Sequence, residues 1–572
     1  MRSRFLLLSW GPQGRAEAMR LVAALTDWSS KVGGRDWMLL TPDPEGPVEV
    51  EGAWIVGSIF PRTSEPPAPH PGRAHTERPV ERLVRRQWGA YVAIVDQRDH
   101  VEIFRDPSGG HPAYWTRRGD LTLVLSGLEE VVAAGAIAPR IDWSSVAGMI
   151  AYPQVRADRT GLEGVHELLP GQTLRIRLGG PEGLALQWSP WSFAARSAAI
   201  LDRSRATEML EETVQSCVAA WADRFPRPLL ELSGGLDSSI IAASLRLAGR
   251  SVDCINIVTP TAEGDEQRFA RLAADGHRLQ IVPVAAAGVD IRRARAGRLP
   301  RPGAHALLRP IEDAFVAAAR VSGATAFFSG LGGDNVFCSL SSAAPASDAL
   351  LTSGPGPRFL RALDDLGRLH GCTAWTAGGL ALRKAVRSGS MGRLPVDASF
   401  LAPGRAPGRA PHHPWMSAPR GALPGKHDQI RSLLLAQAYL DRYEHAAEGE
   451  IVFPLLSQPI VELCLRIPTW LWIADGQNRA IARDAFASAI PDAVVRRRSK
   501  GGLNAFVAAV FEDNVEGLTA QLINGRLAQA GLLDLSAVRE VLANPALASG
   551  QALFRVLQLA DVEAWARTWD DP

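Results

Sequence analysis

The chain has 572 residues, several times the size of one compact core, so at least two domains are expected. Hydrophobic residues make up 46% and charged residues 21%, which is ordinary globular usage and excludes a largely disordered chain. The formal net charge of +2 gives no overall attraction to nucleic acid or to an anionic membrane. A small disulfide scaffold and a short binding module are excluded by length alone.

The cysteines and the N-terminus indicate the compartment. The five cysteines are odd in number and form no C-x-x-C pair, which argues against a disulfide framework and a zinc site. The apolar run from Phe5 to Leu8 is too short for a signal peptide, and no window reaches the roughly 18 apolar residues of a membrane helix. We therefore expect a cytoplasmic protein that neither inserts into a membrane nor binds nucleic acid.

The first part of the chain predicts strands and turns, with few helices, from its alternation and its Gly and Pro residues. The predicted strands are residues 4–9, 54–59, 91–96, 101–104, 122–126 and 173–177. Near Leu201 the pattern changes to an apolar stripe at three- and four-residue spacing, which predicts a helix. We place a domain boundary there, giving domains at residues 1–200 and 201–572.

Beyond this boundary, predicted strands and helices alternate. The strands are residues 229–232, 252–258, 281–284 and 324–328, and the helices are residues 238–247, 267–274 and 311–319. This alternation is typical of a doubly wound parallel sheet that binds ligands at the carboxyl ends of its strands. From residue 429 onward the chain predicts mostly helix. The fold class is therefore α/β, with a β-rich domain first and a parallel-sheet domain with a helical C-terminal part second.

A glycine-rich turn between a predicted strand and a predicted helix is the strongest functional signal. Residues 230–239 read LELSGGLDSS. The glycines let successive N–H groups point into one concavity, the helix adds its positive end, and the hydroxyls of Ser233, Ser238 and Ser239 add donors for an anion. The turn lacks the Walker lysine of GTPases and kinases. The alternative is a tight strand-to-helix connection with Asp237 as the N-cap.

A second glycine-rich turn follows another predicted strand about ninety residues later. Residues 328–335 read FSGLGGDN. If both turns leave the same edge of one sheet, Asp237 and Asp334 can hold Mg²⁺ together while a triphosphate supplies further oxygen ligands. The alternative for Asp334 alone is ordinary turn chemistry. Between the two turns, Asp265 and Glu266 are expected to cap a helix.

The two turns resemble those of the ATP-pyrophosphatase family related to asparagine synthetase, whose first loop reads S-G-G-x-D-S and which cleaves ATP to AMP and pyrophosphate. The resemblance implies an adenine nucleotide alpha-hydrolase-like domain, with ATP as substrate and with Asp237 and Asp334 as Mg²⁺ ligands. The ATP-binding residues that it implies are Ser233, Gly234, Gly235, Asp237, Ser238, Ser239, Ile257, Val258, Ser329, Gly330, Gly332 and Gly333.

The first domain resembles the glutaminase half of class B asparagine synthetases, which implies an Ntn-hydrolase-type fold. The matching segments are residues 88–96, 105–109, 112–115 and 164–172. Arg2 stands where that family has its nucleophilic cysteine, and no cysteine occurs before Cys217. Without a thiol, glutamine is not hydrolysed and ammonia is not delivered. We therefore expect a vestigial glutaminase-like domain.

This departure points to relatives whose amine nucleophile belongs to the substrate. These are the β-lactam synthetases and the lasso-peptide macrolactam synthetases. β-Lactam synthetases have a tyrosine at the place of Leu331, between the two glycines of the second turn, so the chain is most similar to a lasso cyclase. This resemblance implies a short precursor peptide as substrate, and a leader peptidase and a leader-recognition protein as partners.

Two further residues are expected to act in catalysis. Residues 450–457 read EIVFPLLS and match the family segment E-x-R-x-P-F-L-D, so Glu450 is expected to orient or deprotonate the attacking amine. A glutamate at an exposed helix end is an equal alternative. Residues 496–502 read RRRSKGG and match R-x-K-x-G, so Lys500 is expected to stabilise charge on the α-phosphate. The alternative is a solvated basic turn.

The sequence thus predicts an ATP-dependent cyclase. It would adenylate an Asp or Glu side chain of a short core peptide and close a macrolactam with the peptide's N-terminal amine. A ligase of the β-lactam synthetase or asparagine synthetase kind with another amine donor is the first alternative. A catalytically silent scaffold that binds nucleotide or peptide is the second, and the presence of Asp237, Asp334 and Lys500 argues against it.

Overall fold

The computed structural model describes residues 3–63, 77–259, 266–291, 298–303, 305–387, 394–441, 443–498, 501–545 and 549–569. The first part of the chain forms two six-stranded antiparallel sheets, and the second part forms a five-stranded parallel sheet with helices around it. The α/β class predicted from the sequence is confirmed.

The elements of the first part are β1 (Leu6–Trp10), α1 (Arg15–Ala24), β2 (Ser29–Gly33), β3 (Trp37–Thr41), β4 (Val48–Val50), β5 (Ala53–Pro61), α2 (Pro79–Arg86), β6 (Gln87–Asp96), β7 (Val101–Arg105), β8 (Tyr114–Arg118), β9 (Leu121–Leu125), α3 (Glu129–Ala133), α4 (Trp143–Ala151), β10 (Val165–Glu167), β11 (Gln172–Arg177) and β12 (Gly180–Leu186). One sheet has the strand order β10-β8-β9-β1-β3-β2 and the other β12-β11-β7-β6-β5-β4. The six predicted strands are present as β1, β5, β6, β7, β9 and β11.

The two sheets of the first part pack face to face. Because side chains alternate along a strand, Leu7 points between the sheets whereas Leu6 and Leu8 point to the outer side. The core between the sheets consists mainly of Phe5, Leu7, Leu39, Val92, Ile94, Ile103, Val124 and Leu174. The outer face of one sheet shares a second core with α1, α4 and the last helices of the chain.

The elements of the second part are α5 (Arg203–Arg224), β13 (Pro228–Glu231), α6 (Leu236–Leu247), β14 (Asp253–Val258), α7 (Gln267–Ala273), β15 (Arg278–Pro283), α8 (Arg309–Ser322), β16 (Ala326–Phe328), α9 (Gly333–Val336), α10 (Ala344–Ser353), α11 (Pro357–His370), α12 (Ala374–Val386), α13 (Pro424–Gln437), β17 (Glu450–Val452), α14 (Gln458–Arg466), β18 (Ile473–Ala474), β19 (Gln477–Asn478), α15 (Ala480–Ala485), α16 (Asp492–Val495), α17 (Asn504–Asp513), α18 (Val515–Ile523), α19 (Arg526–Gln529), α20 (Leu535–Ala543) and α21 (Gly550–Arg567).

The parallel sheet has the order β15-β14-β13-β16-β17. Strands β13 to β16 and helices α6, α7 and α8 follow the predicted alternation, whereas β17 was not predicted. The chain moves outward from β13 to β14 and β15, then returns to the other side of β13 as β16. Ligand sites of open parallel sheets lie where the strand order reverses in this way, here between β13 and β16.

The beginning and the end of the chain pack together. Side chains of α17, α18, α20 and α21 join the core on the outer face of the sheet that contains β1. Within the parts of the chain that the structure describes, none of the helices combines the length and the hydropathy needed to cross a bilayer.

Candidate functional site

Both glycine-rich turns leave the parallel sheet at the same edge. Leu230 of β13 pairs with Phe328 of β16 in parallel register, and each strand ends within one residue of that pair. The first turn then enters α6 and the second enters α9. The structure therefore brings the two turns together at the carboxyl ends of neighbouring strands.

The first turn has the shape of an anion cradle. Gly234 has a φ of +70°, and a Cβ there would lie 2.4 Å from the backbone nitrogen of Ala270. The hydroxyl of Ser238 donates to the carbonyl of Gly235 at 3.3 Å and lies 3.2 Å from the hydroxyl of Ser233. The buried hydroxyl of Ser239 has no hydrogen-bond partner among the described residues. These groups and the start of α6 offer donors to a phosphate.

Asp237 lies inside α6 rather than at its cap. The N-cap of this helix is Gly235, and Asp237 is in the first turn. The alternative in which Asp237 only caps the helix is therefore wrong. Its carboxylate is 14% exposed and faces the second glycine-rich turn.

The second turn packs directly against the first. A Cβ at Gly330 would lie 2.8 Å from the backbone nitrogen of Ser238, and a Cβ at Gly333 would lie 2.4 Å from Cγ of Asp237. Gly332 has a φ of +89°, a conformation that L side chains rarely adopt. Glycine at these positions lets two strand ends and two helix starts meet in one small site.

Asp237 and Asp334 converge on one cation. Nη1 of Arg479 lies 3.1 Å from Oδ2 of Asp237 and 2.7 Å from Oδ1 of Asp334. Arg479 is the N-cap of α15 and has a φ of +55°, so its backbone adopts the left-handed conformation. The two carboxylates therefore face one another across a single cationic group, which is the arrangement expected of residues that bind one cation together.

This donor set fits Mg²⁺. The ion prefers carboxylate oxygens and phosphate oxygens, and it keeps several ligands that do not come from protein. Among the described residues, no group of three or more His, Cys, Asp or Glu side chains could hold a metal. Asp237 and Asp334 would therefore supply two oxygen ligands, and a triphosphate or water would supply the rest.

Two more arginines surround the first turn. Nη1 of Arg497 donates to the carbonyl of Gly234 at 3.2 Å, and its guanidinium lies 4.1 Å from the ring centroid of Phe269. Burial, and then the neighbouring Arg479, lower the pKa of Arg483 to about 10. These guanidinium groups place positive charge beside the first turn, where it can attract a polyanionic ligand.

Glu266 has a different role from the one predicted. It is the N-cap residue of α7, but its side chain makes no capping hydrogen bond. Instead, its carboxylate pairs with Arg497 and accepts the backbone N–H of Gly501 at 3.0 Å. The predicted N-cap position of Glu266 is confirmed, but its side chain does not cap the helix. Asp265 lies outside the described residues.

Side-chain hydrogen bonds join the second turn to β13 and to α13. The hydroxyl of Ser329 donates to Glu231 at the end of β13, at 2.6 Å. The side-chain amide of Asn335, next to Asp334, donates to the carbonyl and the hydroxyl of Ser432, each at 2.8 Å. Since Ser432 belongs to α13, this helix fixes the turn that carries Asp334.

Helix α13 also contacts the first part of the chain. Its last residue, Gln437, donates through its side chain to the carbonyl of Ser108 at 2.8 Å, and its own carbonyl accepts from Arg156 at 3.1 Å. Ser108 belongs to the segment 105–109 that resembles a glutaminase. Helix α13 therefore connects that segment to the turn of Asp334.

Ile257 and Val258 end β14 beside the first turn. The side-chain amide of Asn256 donates to the carbonyl of Leu232 at 2.9 Å, which ties this strand end to the start of the turn. The carbonyl of Val258 already accepts the N–H of Val284 at 2.8 Å. Both residues, which the resemblance places among the ATP-binding residues, lie at the edge of the sheet from which the first turn leaves.

The structure does not bring Glu450 to the other site residues. Glu450 is the first residue of β17, and it pairs with Ala326, the first residue of β16. Because the strands are parallel, Glu450 lies at the amino edge of the sheet, opposite to the edge from which the two turns leave. It is half-buried in a strand, so the alternative of an exposed helix-end glutamate does not describe it either.

Lys500 lies outside the described residues. Its described neighbours Arg497 and Gly501 both bond to Glu266, next to the first turn. Leu331 is half-buried and packs against the core of the parallel-sheet part. Its side chain has no ionisable group to serve as a base.

The sequence did not indicate that Arg479, Arg483 and Arg497 lie at the site, nor that Glu266 pairs with Arg497. The chain has 62 lysine and arginine residues, so no local pattern marks one arginine as a site residue. The spacing of Arg479 and Arg483 is the one feature of the sequence that could have indicated them. They are four residues apart at α15, so they lie on the same side of that helix.

Comparisons with known proteins found a family model and two curated relatives. A family model described as Asparagine synthase matches residues 209–567. The chain is 29% identical over 189 residues to the carboxyethyl-arginine beta-lactam-synthase of Streptomyces clavuligerus, over 33% of each chain. It is 25% identical over 162 residues to asparagine synthetase [glutamine-hydrolyzing] 3 of Bacillus subtilis (strain 168), over 27% of this chain and 24% of that protein. The matches thus span a third or less of these curated relatives.

Solved structures match as well, and two of them illustrate the low identity of these matches. One is the allosteric regulatory enzyme of purine biosynthesis, with 9% identity and a TM-score of 0.20 over 50% of this chain and 82% of that one. The other is the glutamine phosphoribosylpyrophosphate amidotransferase of B. subtilis, with 9% identity and a TM-score of 0.20 over 57% of this chain and 80% of that one.

Proposed function

The chain belongs to the asparagine synthase family, and on that premise we propose that it is an ATP-dependent carbon–nitrogen ligase that releases AMP and pyrophosphate. One observation carries the proposal. Asp237 and Asp334, from two neighbouring strand ends, flank a single cationic nitrogen of Arg479 in front of the glycine-rich turn. A site of this kind can bind a nucleoside triphosphate together with its metal ion.

The chemistry has two steps. A substrate carboxylate attacks the α-phosphorus of ATP and pyrophosphate leaves, which gives an acyl-adenylate. An amine then attacks the acyl carbon, AMP leaves with the bonding electron pair, and the amine gives up a proton as the amide forms. In two steps, the amine displaces AMP, which is a good leaving group, and not the carboxylate oxygen, which is a poor one.

The residues of the site bind and orient the triphosphate. N–H groups of the first turn and the hydroxyls of Ser233, Ser238 and Ser239 donate hydrogen bonds to its phosphate oxygens. Arg497, which bonds the first turn, and Arg479, which contacts the two aspartates, add positive charge for the triphosphate. Mg²⁺, held by Asp237 and Asp334, would neutralise triphosphate charge and polarise the α-phosphoryl group. Because the donors are fixed before ATP binds, little reorganisation is needed during the reaction.

The amine donor is proposed to be part of the substrate. Residues 1–200 contain no cysteine, so the glutaminase-like part of this chain offers no thiol to release ammonia from glutamine. We propose a short peptide that carries both groups, an Asp or Glu side chain and its own N-terminal amine, so that the product is a macrolactam. Ring closure competes with hydrolysis of the adenylate only if the peptide is held folded and water is excluded.

A second candidate is formation of a small lactam. The likeness to carboxyethyl-arginine beta-lactam-synthase supports it, since that name describes an amide closed within one small molecule. Leu331 argues against it. At this place the resemblance implies a tyrosine in a β-lactam synthetase, whereas the leucine of this chain has no acidic proton.

The proposal is tested by mass spectrometry of products. The protein is incubated with ATP, Mg²⁺ and short peptides that have an Asp or Glu a few residues from a free N-terminus. We expect peptide products that have lost one water, together with AMP. The same peptides with an acetylated N-terminus are the control and should not change. AMP formation without any dehydrated peptide would exclude the macrolactam, and it would leave the ligase with another acceptor.

A further inference from the structure

A carboxylate that belongs to neither the metal pair nor the arginine contacts lies between the two glycine-rich turns. Glu231 is the last residue of β13 and is half-buried. Its side chain accepts a hydrogen bond from the hydroxyl of Ser329, the first residue after β16, at 2.6 Å. Since Leu230 and Phe328 form the last pair of these two strands, Glu231 and Ser329 face each other at the carboxyl edge of the sheet, where ligands bind.

The second turn fixes the orientation of this carboxylate. The hydroxyl of Ser329 donates its hydrogen to Glu231, and its oxygen accepts the backbone N–H of Leu331 at 3.3 Å. The next residue, Gly330, is so close to α6 that a Cβ there would lie 2.8 Å from the backbone nitrogen of Ser238. The Glu231 carboxylate is therefore held next to both turns.

Most of the hydrogen-bonding capacity of Glu231 is unused. An ionised carboxylate can accept about four hydrogen bonds, and within the described parts of the chain its partner is Ser329. The arginines of the site bond to other acids, Arg479 to the two aspartates and Arg497 to Glu266. Glu231 is therefore able to accept further hydrogen bonds from a ligand.

The chemistry of ATP limits which of its groups can face Glu231. The triphosphate carries negative charge and acceptor oxygens, so it would repel the carboxylate. The donors of ATP are the two ribose hydroxyls and the adenine amino group. Glu231 precedes Ser233 of the first turn by two residues, so their Cα atoms are within about 7 Å of each other. The ribose is attached directly to the α-phosphate, whereas the amino group is at the far end of the nucleoside.

The strand register also favours the ribose. Glu231 pairs with Ile255 of β14, and Ile257 follows two residues later, so the three side chains lie on the same face of the sheet. Ile257 is one of the ATP-binding residues that the resemblance implies. A nucleoside that reaches from the first turn to Ile257 would lie along the carboxyl ends of β13 and β14, beside Glu231.

We propose that Glu231 binds the ribose hydroxyls of ATP and makes the site selective for ribonucleotides over deoxyribonucleotides, with Ser329 as the residue that positions its carboxylate. Dinucleotide-binding folds use an acidic side chain on a ribose hydroxyl in the same way. The inference rests on the proposed ATP site, and it adds to that site a specificity-determining residue that the resemblance does not include.

The test compares ATP, 2′-deoxyATP and 3′-deoxyATP with the full-length protein. Dissociation constants are measured by isothermal titration calorimetry in the presence of Mg²⁺. A hydrogen bond to a charged group contributes about tenfold or more to affinity, so the wild-type protein should bind at least one deoxynucleotide about tenfold more weakly than ATP. In Glu231→Ala this preference should fall to about twofold or less, because the partner of the hydroxyl is gone. Ser329→Ala should show an intermediate preference.

Glu211→Ala is the matched control. Glu211 is half-buried on α5 and, like Glu231, accepts a hydrogen bond from an uncharged side chain, that of Gln215, at 3.1 Å. This variant should keep the wild-type preference for ATP. Glu231→Gln keeps the shape of the side chain and should also bind ATP with a smaller preference than the wild type. Circular dichroism checks that each variant is folded.

Several results would overturn the inference. Equal binding of ATP and both deoxynucleotides by the wild type, or an unchanged preference in Glu231→Ala, would do so and leave the proposed function intact. Weaker binding of inosine triphosphate that disappears in Glu231→Ala would assign the carboxylate to the adenine amino group instead. An unchanged preference and intact pyrophosphate exchange in Glu231→Ala, with loss of the amide product, would assign it to the attacking amine. No binding of ATP by the wild type would contradict the proposed function itself, and this inference with it.

Discussion

Gly333 lies so close to Asp237 that a methyl group at position 333 would come within 2.4 Å of the carboxylate carbon. The contact joins the start of α9 to the first turn of α6, and so it joins the two glycine-rich turns. The relative placement of Asp237 and Asp334, which both contact Arg479, depends on this close approach.

Gly333→Ala should therefore reduce catalysis without unfolding the protein. The new methyl group must push the Asp237 carboxylate away, and a displacement of about 1 Å in a catalytic site can lower the rate about a hundredfold. Gly183→Ala is the control, since a Cβ there meets no atom within 4 Å. Exchange of pyrophosphate into ATP is the measurement. Equal rates in the two variants would show that the contact with Asp237 has no role in the reaction.

Asp237→Asn and Asp334→Asn should each abolish adenylation and leave the fold intact. Each change removes an anionic oxygen ligand from a metal ion that must offset triphosphate charge. Asp492→Asn is the control, because the Asp492 side chain is 72% exposed and its ion pair among the described residues is with Arg496, at the C-cap of the same helix. Near-normal exchange in either site variant, with unchanged thermal melting in all three, would refute the assignment of these residues to the metal.

Helix α13 should control the turn that carries Asp334. Asn335→Ala removes both hydrogen bonds to Ser432, so the backbone of residues 330–336 should exchange hydrogen faster, and the Mg²⁺ concentration for half-maximal activity should rise. Gln437→Ala should have the same effect in weaker form. Thr122→Val is the control, since it removes a buried hydrogen bond to Gly179 far from α13. Unchanged hydrogen exchange in residues 330–336 of Asn335→Ala would contradict this role.

Two substitutions of Lys500 distinguish a catalytic role of this lysine from a place on the surface. If it stabilises the adenylate, Lys500→Arg should fail almost as badly as Lys500→Ala, because a planar guanidinium cannot replace a compact ammonium in a closed site. The expected loss in rate is about 10²–10³, or roughly 3–4 kcal/mol, with a smaller loss in ATP affinity. A surface lysine contributes about 1 kcal/mol at most. Full turnover in Lys500→Arg would therefore remove it from the site.

Much of the fold could be predicted because its signals are local. The alternation of apolar strands and helices between residues 228 and 328 predicts four strands of the parallel sheet in their correct order along the chain. Strand β17 was missed because it has only three residues and joins the sheet beside β16 after more than a hundred intervening residues. Such a strand is defined by its neighbour in space and not by its own pattern.

The site residues, too, could be predicted where their signals are local and could not where they are distant in the chain. The glycine-rich turns are local features, and glycine is required where φ is positive or where two backbones approach closely, so Gly234, Gly330 and Gly333 could be found from the sequence. Arg479 could not, because it reaches the aspartates from more than a hundred residues away. The match to the family segment pointed to Glu450, but a sequence match does not show at which edge of the sheet β17 begins.

The most direct test of the central claim is the fate of ATP labelled in its α-phosphate and the exchange of labelled pyrophosphate into ATP. For an AMP-forming ligase, we expect the α-label in AMP and a Mg²⁺-dependent exchange that is lost in Asp334→Asn and retained in Asp492→Asn. Release of ADP, or tight binding of ATP with no exchange in the presence of any carboxylate substrate, would contradict the account.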